Sequence, residues 1–166
     1  MQVKGNVVTG KELGELVAEA ANSPRRRMNL NMHEDDEDVN FFFSTILHDS
    51  YIRPHRHNDK HKYLQIIRGK LLLLEFDDTG NIIKQAVFDS NNVSLHPSAG
   101  SKPLAYKIQK GSWHTILALS SVVVVLEVNS SFNNSDIPQD LAPWAPAEDD
   151  PASKMYIKGL RALAPR

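Results

Sequence analysis

From Asn40 to Val128 the chain is a succession of short β-rich runs, each closed by a turn, and this texture limits it to a barrel or a sandwich. The runs are 41–47, 51–57, 63–68, 70–76, 82–88, 93–96, 104–109, 114–118 and 122–128. Asp77-Asp78-Thr79-Gly80 supplies the residue types of a hairpin turn, so the runs on either side of it are expected to pair antiparallel. Ahead of this region, Thr9-Gly10-Lys11-Glu12 reads as a capping box, and Leu13, Leu16, Val17 and Ala20 follow at helical spacing. A short amphipathic helix over 10–21 is predicted, ended by Ser23-Pro24. Behind it, residues 133–151 are rich in Asn, Asp and Pro and read as an extended arm, with Trp144 as an apolar peg. Residues 152–163 carry Met155, Tyr156, Leu160 and Leu163 near helical spacing and suggest a terminal helix. The expected organisation is a helix and lead-in segment over 1–39, a barrel over 40–130 and an arm packed on it over 131–166.

Charge and composition narrow the function. The 166 residues carry 19 basic and 20 acidic side chains, so nothing global favours nucleic acid. The longest apolar run, Val122 to Leu126, is too short to span a bilayer, and no secretory leader pattern opens the chain. The expectation is a cytoplasmic protein with a small-molecule ligand. Cysteine is absent, which leaves His, Asp and Glu as metal ligands and removes thiolate chemistry.

Three histidines stand out against this background. In an extended chain His55 and His57 project to one side while Arg56 turns away, and His114 opens a second apolar run after Gly111-Ser112-Trp113. Neutral imidazoles from two strands can hold a divalent metal, with zinc and iron(II) favoured by ligand type. The same spacing also fits solvent-facing strand histidines. His33 and His48 fit ordinary hydrogen bonding. Arg25-Arg26-Arg27 reads as a solvated loop, with Arg27 a candidate for an anionic ligand if the fold turns it inward. Tyr51, Tyr63 and Tyr106 are strand aromatics, of which Tyr51 and Tyr106 are candidates for acid or base work.

His55-Arg56-His57 through Arg68-Gly69, Phe76 to Gly80, Gly111 to Thr115, and Ala142-Pro143-Trp144-Ala145-Pro146-Ala147-Glu148 together resemble the WbuC family of cupin-fold metalloproteins, as does Asn29 to His33. The resemblance spans roughly residues 23–160. It implies an all-β fold, a cupin double-stranded β-helix or jelly-roll barrel, to which the patterns above add a short N-terminal helix and an extended, partly helical C-terminal arm. It further implies one divalent metal on His55, His57 and His114, a homodimer, and a link to bacterial surface-polysaccharide chemistry. The general cupin pattern places a glutamate ligand where this chain has Lys62, and an ammonium group cannot ligate a metal. Lys62 is therefore a candidate for anion binding or proton transfer, and with Arg27 and His33 a candidate substrate contact. His61 is expected to face away from Lys62. The functions open at this point are a metal-assisted isomerase or epimerase acting on a sugar or sugar-nucleotide derivative, an iron-dependent oxygenase, a non-catalytic anion-binding or sensor module, and a structural homodimer with remnant histidines.

Overall fold

The computed structural model describes residues 1–3, 6–34, 36–91, 103–130 and 139–164. Two five-stranded antiparallel sheets face one another, one ordered β1-β2-β9-β4-β7 and the other β10-β3-β8-β5-β6. The strands are β1 (Arg27–Asn31), β2 (Val39–Leu47), β3 (His55–Arg56), β4 (Lys62–Arg68), β5 (Lys70–Phe76), β6 (Ile82–Asp89), β7 (Ala105–Ile108), β8 (Trp113–Ala118), β9 (Val122–Ser130) and β10 (Asp140–Leu141). Helices α1 (Gly10–Asn22) and α2 (Ser153–Ala162) flank the sheets. No helix among the described residues is long and apolar enough to cross a membrane.

Alternation decides what each strand gives to the interior. Ile46, Leu64, Ile66, Val123, Val125 and Ile108 from one sheet meet Leu71, Leu73, Phe88, Ile116 and Ala118 from the other in a single buried cluster. The outward face of the second sheet is covered too: Leu72, Leu74, Phe76, Trp113 and Leu117 pack against Ala142, Ala145, Ile157 and Leu160 of the arm and α2. That second covering explains why β5 reads as a continuous apolar run from Leu71 to Leu74 and why β8 is buried along its whole length.

The helix predicted over 10–21 forms as α1, with Thr9 and Glu12 completing the capping box. The run expected over 51–57 contracts to His55–Arg56. Pro54 has no donor for a ladder, and neighbouring carbonyls are taken elsewhere: Thr115 Oγ1 donates to Ile52, and the Ala142 amide to Pro54. Within the lead-in, Arg27–Asn31 forms a strand that pairs with β2 from Arg27↔Ile46 to Asn31↔Phe42. Its Asn-rich sequence hides this: only Leu30 is buried, and exposed Asn29 takes a side-chain partner across the ladder, accepting from Ser44 Oγ at 2.9 Å. The run expected over 93–96 lies outside the described residues.

Trp144 is the apolar peg expected of the arm. Its ring lies 4.9 Å from that of Phe76 and 6.3 Å from that of Trp113, centroid to centroid. It sits on the β5–β6 hairpin, where Gly80 adopts φ 91° and a Cβ would fall 2.8 Å from the indole. Gly80→Ala should therefore destabilise the protein by about 2 kcal/mol in urea unfolding, from left-handed strain and indole displacement together. In a Trp144→Ala background the same change should cost roughly 1 kcal/mol, the backbone part alone. Equal costs in both backgrounds would show that the indole does not set this turn.

Candidate metal centre

The backbone brings the histidines together before any side chain is considered. In the β3–β8 ladder His55 stands directly opposite His114, and His57 follows at the end of β3, its carbonyl accepting from the Gly111 amide at 2.7 Å. Arg56 faces outward and is clamped there. Its Nε donates to Asp140 at 2.9 Å, and its guanidinium carbon lies 4.4 Å from the centre of the Trp113 ring. Holding Arg56 out holds its two neighbours in.

Each imidazole offers one nitrogen to a common point, and the three nitrogens lie within 4.8 Å of one another. His55 Nδ1 is 3.0 Å from the Arg53 carbonyl and His114 Nδ1 is 2.9 Å from the Ser112 carbonyl. A carbonyl only accepts, so both Nδ1 atoms carry the proton and both Nε2 atoms present a lone pair. The Nε2 atoms of His57 and His114 are buried and have no hydrogen-bond partner among the described residues. An orphaned buried acceptor is costly, and two in one compact histidine cluster suit a cation.

Protonation is suppressed at all three. Burial, then the neighbouring His114 and Lys62, hold His55 well below the usual imidazole range. Burial and Lys62 bring His57 to about 4 and His114 to about 3. The set is neutral near pH 7, as ligation requires.

Lys62 projects into the barrel, but its ammonium turns to a carboxylate rather than to the ligand point. Lys62 Nζ lies 2.9 Å from Glu127 Oε2, with side-chain exposures of 16% and 6%. Burial alone would raise Glu127, but the Lys62 charge and the hydrogen bond Lys62 donates outweigh it and hold the carboxyl below its ordinary value. Glu127 is the residue that sequence reading missed. It falls in phase with Val123 and Val125 on β9, and an acid on the inward phase of an apolar strand was the available signal.

A cavity of about 160 Å³ opens onto this group. His55, His114, Lys62, Glu127, Asn29 and Arg27 are among its walls. Arg27 is thus turned inward, donating to the Tyr51 carbonyl at 2.8 Å and to Glu148 at 2.6 Å, and burial lowers its pKa. The remaining candidates lie elsewhere. The Tyr51 hydroxyl donates to the Pro146 carbonyl at 2.9 Å, and burial raises its pKa. Tyr106 lies beside Lys84 and Glu75, its pKa also raised by burial. His33 Nδ1 engages the backbone of Phe41 at 3.1 Å. His61 Nδ1 accepts from the Lys110 amide at 3.2 Å, an arrangement that supports the turn before β8.

Comparison with known proteins gives the fold its name. A family model described as a domain of unknown function, DUF6016, matches residues 8–88. No curated protein matches the chain. Among solved structures, TT1209 from Thermus thermophilus is 15% identical, with 78% of this chain and 97% of that one covered and a TM-score of 0.50. Oxalate oxidase in complex with glycolate is 14% identical over 68% of this chain and 55% of that one, TM-score 0.50. Procruciferin, the 11S globulin of Brassica napus, is 13% identical over 67% and 26%, TM-score 0.50. At these identities the likeness concerns architecture, and that architecture is the cupin double-stranded β-helix.

The buried imidazoles make stability depend on pH. An unfolded imidazole takes a proton near pH 6.5, whereas folded His57 and His114 take one only near 4 and 3. Below pH 6.5 the unfolded chain therefore binds more protons, so stability present above that pH is lost as pH falls toward these folded values. Chelator-treated protein should lose up to about 1.4 kcal/mol per pH unit for each such group in urea unfolding between pH 6.5 and 4.5. His114→Gln should flatten that slope. A wild-type profile as flat as the variant's would contradict the burial assigned to these rings.

Proposed function

We propose that the chain is a metal-binding cupin that takes a small, polar, negatively charged metabolite into its barrel mouth. The observation that carries this reading is the convergence of three neutral imidazole nitrogens, two of them buried without a partner, on one point beside a walled cavity. His55, His57 and His114 would hold the ion. Bound there, a divalent ion such as zinc or iron(II) would polarise a ligand oxygen as a Lewis acid, with positions left open by a three-residue ligand set.

The chain's own charges select the ligand. Lys62 stands where a cupin ligand set is expected to place a carboxylate, so a ligand set of three imidazoles carries no negative charge. Glu127 compensates the ammonium, which leaves the imidazole set free for a cation. An oxyanion entering the cavity meets the ammonium at one wall and Arg27 at another. When it takes the ammonium as partner, Glu127 is released as a carboxylate able to accept a proton from a hydroxyl-bearing carbon beside a polarised carbonyl and return it to the carbonyl carbon on the same face, while the hydroxyl proton passes to the carbonyl oxygen. That is an isomerisation of a hydroxy-carbonyl compound, and Lys62 and Glu127 are the residues we assign to it. The resemblance of both histidine motifs and the arm to the WbuC family supports a sugar-derived substrate.

Elemental analysis of tag-free protein should find close to one zinc or iron per chain, with at least tenfold less in His57→Ala and an unchanged far-ultraviolet spectrum. Equal metal in both proteins would remove the ligand assignment. Lys62→Gln should keep its metal but lose about 3 kcal/mol of stability, because it strands a buried carboxylate. Adding Glu127→Gln should recover most of that loss. A double variant no more stable than the single one would mean that the pair is not coupled in solution.

A further inference from the structure

Next to the barrel mouth lies a second and larger cavity, about 710 Å³, between the turn that precedes β1, the β2–β3 connection and α2. Arg25, Arg27 and Glu148 border both spaces, so the two are separated by one layer of side chains. Around the larger space stand five cationic side chains, Arg25, Arg26, Arg27, Lys154 and Arg161, against three carboxylates, Asp49, Glu148 and Asp149. The excess of two positive charges matches a phosphate monoester dianion.

The pairing within the groove shows which cations are committed. Arg26 adopts φ 56°, unusual for a residue with a side chain, and its guanidinium is spent on Asp49 and on the Ala21 carbonyl. That kink splits the arginine triplet. Arg25 and Arg27 both turn to Glu148, at 3.6 and 2.6 Å, so one carboxylate serves two guanidiniums. Arg161 donates from Nε to the Ala118 carbonyl at 3.2 Å, while its Nη2 is buried with no partner among the described residues. His48 also borders the groove, and burial followed by the Arg161 charge lowers its pKa. Ser153, Ile157 and Arg161 present one face of α2 to this space.

We infer that this groove binds the phosphate of an organic phosphate ester, whose other end passes the Arg27–Glu148 pair into the barrel. Arg25, Lys154 and Arg161 receive the phosphate oxygens. The outer volume suits a ligand with the bulk of a mononucleotide or sugar phosphate, and the inner cavity admits only its tip. This deepens the reading of the barrel as a metabolite site and rests on it for the inner end alone.

The test is titration calorimetry with phenyl phosphate at low ionic strength on wild type, Lys154→Ala, Arg161→Gln and His57→Ala, each also assayed for metal. Wild type and His57→Ala should bind alike, and each groove variant should bind roughly tenfold more weakly. Lys154 is exposed, so its variant keeps the test valid if Arg161→Gln perturbs α2. No binding to wild type, or equal binding by wild type and Lys154→Ala, would overturn the inference. Loss of binding in His57→Ala alone would also overturn it, by moving the phosphate into the barrel. A protein that binds phenyl phosphate in the groove but carries no metal would retain this site and lose the metal reading.

Discussion

The site depends on a strand of two residues. His55 and Arg56 pair with β8 on one side and β10 on the other, and β10 belongs to the arm. So short a strand has little ladder of its own, and its direction is fixed by what surrounds it. The arm supplies the Ala142 amide to Pro54, the Ala142 carbonyl to Arg53, and Asp140 to Arg56. These contacts fix which face of β3 looks inward, and a slip by one residue would exchange Arg56 for the histidines at the site. The described part of the arm therefore holds the candidate metal centre in place mechanically, without joining the histidine cluster.

The electrostatics follow from the same placement. Three imidazoles inside a barrel are held neutral mainly by burial, and Lys62 reinforces this. An uncompensated ammonium there would repel the cation that the imidazoles fit. Glu127 resolves the conflict from β9, where β4 and β9 set Leu64 opposite Glu127 and Lys62 opposite Asn129, so the two charged side chains meet diagonally on one inner face. Burying such a pair is expensive relative to apolar residues of similar size, which makes a selective role for it more economical than a purely stabilising one.

Much of this is legible in the residues, unevenly. The alternation of strands, the capping box at Thr9, the hairpin at Asp77 to Gly80 and the shared face of His55 and His57 are local patterns, and local patterns survive folding. The position of Lys62 can be flagged by resemblance, but its orientation cannot, because the partner, Glu127, lies far along the chain in a strand that reads as apolar. Glu127 itself shows only through its inward phase on that strand. The strand at Arg27–Asn31 is hidden because only Leu30 in it is buried and Asn29 is satisfied by Ser44 of the neighbouring strand, a pairing that no single-strand pattern encodes. Arg27 reads as part of a solvated triplet, and only the reversal at Arg26 separates its direction from its neighbour's.

That reversal also links the two ends of the chain. Glu148 lies at the end of the arm segment that begins by pairing β10 with β3, and its carboxylate receives Arg25 and Arg27 from the start of β1. One arm thus sets the histidine strand at one end and closes the wall between the inner cavity and the outer groove at the other. A ligand that displaced Glu148 from Arg27 would act on the same segment that orients His55 and His57. The outer groove and the histidine strand thus share one short covalent segment, from Asp140 to Glu148.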